Sequence, residues 1–152
     1  MSTRIIMKTK KVLLDASALL MSLMIPNGYS CLCLHYPGLY LHNYISQSTL
    51  EIVTRTLTSY NPKETRLHQR FFLHLWPNTT LLPNPNSEDQ RPLRTIVPKW
   101  FRPILASAIT SQCEFLITME KTLLQPKVKL FAKRHGIRII QPSLGLLNNF
   151  SS

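Results

Sequence analysis

Short apolar runs alternate along this chain with stretches whose apolar residues recur every three or four positions, and that alternation sets the expected elements. Lys11-Val12-Leu13-Leu14-Asp15 is an apolar run closed by an acid, the pattern of a strand buried on both faces. Ala16 to Met24 contains no Gly or Pro and is rich in Leu, Met and Ala, so it predicts a helix, which Pro26-Asn27-Gly28 ends with turn chemistry. Leu39 to Ile45 carries the aromatic and branched residues of a second strand. Ser46 to Ser48 offer N-caps for a helix with Leu50, Val53 and Leu57 on one side. Asn61-Pro62 opens a further helix, with Leu67, Phe71 and Leu75 as its apolar stripe. Thr79 to Leu82 fits a short third strand. Residues 83–98, with four prolines and two asparagines, predict a loop.

The second half is more regular. Ile104, Leu105, Ala108 and Ile109 form a helical face, and Pro103 is tolerable in its first turn. Phe115-Leu116-Ile117-Thr118 reads as a buried strand. Val128, Phe131 and Ala132 mark a helix that ends at His135-Gly136, where glycine suits a left-handed cap. Ile137 to Ile140 makes a last strand. Strands alternating with helices predict an α/β fold in three layers, a central parallel sheet of about five strands with helices on both faces. The expected arrangement is a single domain over residues 1–152, with its core between about 10 and 147 and no internal repeat.

Composition changes this picture in one respect. The 152 residues are 44% hydrophobic and 16% charged, as in a globular protein, but 18 Lys and Arg face 7 Asp and Glu, a net charge of +11. Such an excess favours a polyanionic partner, with plain solubility charge as the alternative. The basic start followed by apolar residues resembles a secretion signal only superficially. Asp15 interrupts its apolar run, and no small-x-small cleavage pair precedes Cys31. No apolar stretch reaches the roughly 20 residues of a membrane span, so the expectation is a cytoplasmic protein with no membrane partner. Cys31, Cys33 and Cys113 are an odd count without zinc spacing, and the reading is of buried or half-buried thiols.

The few acids are informative by position. Asp15 closes the first strand and Glu120 follows the strand Phe115–Thr118 by two residues. Ligands of open parallel sheets collect beyond the carboxyl ends of strands, where the strand order reverses, so two strand-end acids can share one crevice. A strand-end Asp is equally at home as a helix N-cap.

At these residues the sequence resembles the PIN-domain family. Val12-Leu13-Leu14-Asp15-Ala16-Ser17 resembles the family's opening strand, apolar residues followed by Asp, a small residue, and Ser, Thr or Asn. Ile45-Ser46 through Glu51 to Leu57 is similar to its second motif, a strand-ending Ser and a helix with an early Glu. Pro103-Ile104-Leu105-Ala106-Ser107-Ala108 and Thr118-Met119-Glu120-Lys121-Thr122-Leu123-Leu124 resemble its longest signature, in which a helix opening Asp-x-Pro precedes a strand and Thr-Gly-Asp-Lys-Asp-Leu-Leu. Gly136 to Pro142 resembles the closing strand. The motifs stand in the family's order from about Lys10 to Leu147, and the branch they resemble most is that of toxins from toxin–antitoxin pairs.

That resemblance implies a carboxylate cluster holding Mg²⁺ or Mn²⁺ for RNA hydrolysis, since hard cations take oxygen ligands and can activate water. It makes Asp15, Glu51 and Glu120 the candidate ligands, Ser17 their helper, RNA the substrate and an antitoxin protein the expected partner, with a homodimer left open. The chain departs from the pattern at several positions. Phe101 stands where the third acid belongs, with Arg102 beside it; Thr122 replaces the last Asp, Met119 a turn Gly, and Glu120 an Asp. Two readings follow: a PIN-type endoribonuclease, toxin-like, with weakened or lost activity, or a non-catalytic relative that binds RNA or a protein through its basic surface.

Other residues add less. His68 and His74 lie six apart on the expected helix, on different faces, and no Ser or Cys stands in a nucleophile context. Trp76 and Trp100 offer rings for packing or for base stacking. Lys127, Lys129, Lys133 and Arg134, with Arg138 nearby, form a basic cluster suited either to phosphates or to a solvated helix face.

Overall fold

In the computed structural model, residues 10–24, 41–60, 69 and 79–142 are described. Five strands form one sheet: β1 (Lys10–Leu14), β2 (Leu41–Ser46), β3 (Thr79–Leu82), β4 (Phe115–Ile117) and β5 (Arg138–Ile140). All pairings are parallel and the order is β3-β2-β1-β4-β5. Among the described residues the helices are α1 (Ala16–Met24), α2 (Gln47–Tyr60), α3 (Ser87–Gln90), α4 (Arg102–Thr110) and α5 (Pro126–Arg134).

The period-two alternation of the strands divides the interior into two cores. Val12, Leu14, Ile45, Phe115 and Ile117 face one side, where Ala16, Leu19 and Leu23 of α1 and Val53 and Leu57 of α2 cover them. Leu13, Leu116 and Ile139 face the other, under Ile104, Leu105 and Ala108 of α4 and Val128 and Ala132 of α5. The register keeps each set in line: Val12 opposes Phe115, Leu13 opposes Leu116 and Leu14 opposes Ile117. The result is the expected three layers, a parallel sheet of five strands with helices on both faces.

Two helices end in the same way. At the end of α5, Gly136 has φ +77, its N–H bonds the Lys133 carbonyl and the Ile137 N–H bonds that of Ala132. At the end of α4, Gln112 has φ 55, its N–H bonds the Ile109 carbonyl and the Cys113 N–H bonds that of Ala108. Both are Schellman closures. The glycine was legible in the sequence and the glutamine was not.

The expected loop at 83–98 is corrected in part. Ser87–Gln90 is a helical turn, capped by the Asn86 side chain accepting the Asp89 N–H at 2.8 Å, and Arg91–Leu93 continues as a 3₁₀ turn. Asn86 and Pro92 look like loop residues in sequence, but they serve here as an N-cap and a first-turn proline. The expected helix with Leu67, Phe71 and Leu75 lies outside the described residues, as do Cys31, Cys33, His68, His74, Trp76 and the start of the second strand at Leu39. Among the described residues no helix is long and apolar enough to cross a membrane.

Candidate functional site

The chain visits β1, β2 and β3 on one side and then returns to place β4 against β1. The helix after β1 lies over one core and the helix after β4 over the other, so the carboxyl ends of β1 and β4 flank the point where the winding reverses. Asp15 follows β1 there and Thr118-Met119-Glu120 follows β4. Two of the three candidate acids thus sit at the ends of neighbouring parallel strands.

Asp15 is tied down on every side. Its N–H bonds the Ile117 carbonyl at 3.0 Å, and its own carbonyl accepts the Leu19 N–H at 3.1 Å, which starts α1. Its Oδ1 accepts the Ala16 N–H at 2.8 Å, which satisfies the first amide of the helix. Oδ2 accepts two hydroxyls, Ser17 Oγ at 2.9 Å and Thr118 Oγ1 at 2.7 Å. Each hydroxyl has one proton, and in this arrangement both protons are directed at Asp15. Their lone pairs take the next amides of the chain: the Met119 N–H donates to Ser17 Oγ at 2.9 Å and the Glu120 N–H to Thr118 Oγ1 at 3.0 Å. The network therefore runs inward from two backbone amides through two hydroxyls to one carboxylate. Ser17 and buried Thr118 thus hold the carboxylate together, and the part of Thr118 was not expected from the sequence. Its signal was available, because Thr118 stands where the signature has its Thr.

The remaining candidates are placed differently. Glu120 is half-buried, and its carbonyl accepts the Leu123 and Leu124 N–H groups, closing the turn after β4. Glu51 is exposed on α2. The end of β2 is used for capping instead: buried Ser46 accepts the Thr49 N–H at 3.1 Å and donates to Thr49 Oγ1 at 2.9 Å. Phe101 is half-buried and packs against the core under α4. Arg102 turns back on its own segment, Nε donating to the Val97 carbonyl at 3.1 Å and a terminal nitrogen to that of Arg94 at 3.4 Å.

Among the described residues no three His, Cys, Asp or Glu side chains stand together as a metal-holding group. The donor set at the sheet's switch point agrees with that result. Three of the roughly four lone-pair positions on the Asp15 carboxylate already accept hydrogen bonds. Phe101, at the position that the sequence resemblance assigns to a third acid, is half-buried against the core. Among the described residues the strand ends thus offer Asp15 and Glu120, without a group of three metal-holding side chains.

The basic cluster lies on α5. Val128 and Ala132 are buried, and Lys127, Lys129, Lys133 and Arg134 are exposed around the opposite arc of the helix, with Leu130 among them. Four cations on a single helix give a positive face around Leu130. Of the three cysteines, Cys113 is described; it is buried, and burial pushes its thiol up from 9.0 to about 11.

The all-parallel sheet with helices on both faces is a PIN-like α/β fold. Consistent with this, the chain is similar to a chain of VapBC2 from Rickettsia felis, solved bound to a DNA fragment from their promoter. The TM-score is 0.61 at 15% identity, over 88% of this chain and 99% of that one. No family model matches the sequence, and no curated protein does.

Proposed function

We propose that this protein is a toxin-like PIN-type RNA-binding protein whose metal-dependent cleavage is weakened or lost. The observation that carries the proposal is the short supply of acids at the strand ends. Asp15 and Glu120 follow neighbouring strands, but no group of three His, Cys, Asp or Glu side chains forms among the described residues. Phe101 packed in the core and Glu51 out in solvent support the same reading. Any residual hold on Mg²⁺ or Mn²⁺ would fall to Asp15 and Glu120, at the ends of neighbouring strands, with Glu51 as the third candidate. Removing carboxylates from a shared crevice also removes their mutual repulsion, so the fold tolerates the loss.

RNA is the expected partner because the net charge is +11 and α5 presents four exposed cations. An antitoxin-type protein partner belongs to the same reading, by analogy with the VapBC2 assembly. The test measures binding and cleavage on one sample. Single-stranded RNA is titrated at low salt, then incubated with Mg²⁺ or Mn²⁺ while backbone amides near Asp15 and Glu120 are followed by NMR. Binding with little or no cleavage and weak amide shifts is expected. Vigorous metal-dependent cleavage abolished by Asp15→Asn would overturn the loss of activity, and absence of RNA binding would overturn the proposal.

A further inference from the structure

We infer that the segment before α4 is a stacking platform for an unpaired RNA base, with Trp100 as its ring. The inference rests on the RNA-binding reading above and places a contact on a part of the chain separate from α5. Trp100 is 76% exposed. Its segment nonetheless reaches the core: Leu93 and Val97 are buried, and Ile96 and Phe101 pack against the same cluster. The exposed ring is therefore not explained by a segment too far from the interior to bury it.

The segment is also held in shape. The Ile96 and Val97 N–H groups both bond the Leu93 carbonyl at 3.1 Å, and the Phe101 N–H bonds that of Pro98 at 3.0 Å. The Arg102 guanidinium ties the Val97 and Arg94 carbonyls together. A ring on a fixed backbone loses little freedom when a flat ligand covers it.

Charge chooses the ligand. Between Gln90 and Gln112 the chain has four cations, Arg91, Arg94, Lys99 and Arg102, and no acid; Glu88 and Asp89 flank one end on α3. Arg91, Arg94 and Lys99 are exposed. An exposed ring on a segment that also carries exposed cations suits a single strand, with a surface for one base and charge for its phosphates. Duplex RNA would not use it, because its bases are already stacked on each other.

The experiment uses the full chain. Binding of a labelled uridine oligonucleotide is measured for the wild type, Trp100→Phe and Trp100→Ala, with circular dichroism to confirm folding. Tryptophan fluorescence is followed in a Trp76→Phe background, where Trp100 is the only tryptophan. Trp100→Ala should weaken binding roughly five- to a hundredfold, the range for losing one stacked base, and Trp100→Phe should retain most of the affinity. Single-stranded RNA should quench Trp100 and a duplex of equal length should not. If a folded Trp100→Ala protein binds as the wild type does, or duplex quenches equally, the platform is wrong and RNA binding stands. If the wild type binds no RNA, both fall.

Discussion

Thr118 Oγ1 donates a 2.7 Å hydrogen bond to Asp15 Oδ2, joining the ends of two adjacent strands whose residues lie 103 positions apart. A hydrogen bond to a charged group contributes roughly 1.5–3 kcal/mol, and the Ser17 hydroxyl and Ala16 amide add to it. The carboxylate that looks catalytic in the sequence thus helps hold the centre of the sheet closed.

Asp15→Asn is consequently not a neutral change. Whichever carboxylate oxygen the amide nitrogen replaces, it meets either the Ala16 N–H or two hydroxyls that already accept backbone amides. A loss of about 1–3 kcal/mol in unfolding free energy is expected, the cost of leaving buried donors without acceptors. Urea unfolding of the variant checks it, and unchanged stability would show that the network contributes little.

Phe101→Asp should cost stability as well, because the ring packs against the core under α4. Partial burial sets the loss at roughly 1–3 kcal/mol. Combined with Glu120→Asp, the new acid is expected to raise Mn²⁺ affinity if position 101 can face Asp15. Isothermal titration reads this directly, and a folded double variant with no gain means that the position belongs to the core alone.

Gln112 sits at φ 55 where a glycine would be free of strain. Gln112→Gly is expected to stabilise the protein by up to about 1 kcal/mol, while Gly136→Ala should destabilise it by a similar amount. Thermal melts of the two variants should move in opposite directions.

The Cys113 thiol, raised by burial from 9.0 to about 11, should resist alkylation in the folded protein. A thiolate population depressed by that shift slows the reaction tenfold or more relative to unfolded chain. The same shift has a stability consequence. Between about pH 9 and 11 the unfolded thiol releases its proton and the folded one keeps it, so stability falls as pH rises through that window. The fall should be smaller in Cys113→Ala, measured by denaturant unfolding at pH 8 and pH 10.

Neutralising Lys129, Lys133 and Arg134 should flatten the salt dependence of RNA binding. If all three meet phosphates, the slope of log K against log salt should shrink by about 2 for a single strand. An unchanged slope would move the RNA contact away from α5.

The sequence by itself determined the layers. Runs such as Val12-Leu13-Leu14 and Phe115-Leu116-Ile117, apolar at every position, need cover on both faces, which a buried parallel strand between two helical layers receives. Composition marked α1, helical spacing marked α2 and α4, and Gly136 marked its own left-handed turn. Strand-end placement of Asp15 and Glu120 was legible for the same reason, since Asp15 follows its apolar run directly and Glu120 comes soon after its own. What the tertiary structure decided was the use of those residues. Whether an acid holds an ion or its own chain's hydroxyls depends on which donors lie within about 3 Å. Thr118 reaches Asp15 only because β4 returns to pair with β1. Likewise, the pattern Trp100-Phe101 could not say which ring enters the core: neighbouring side chains point in different directions, and the turn after Pro98 turns Phe101 inward and leaves Trp100 in solvent.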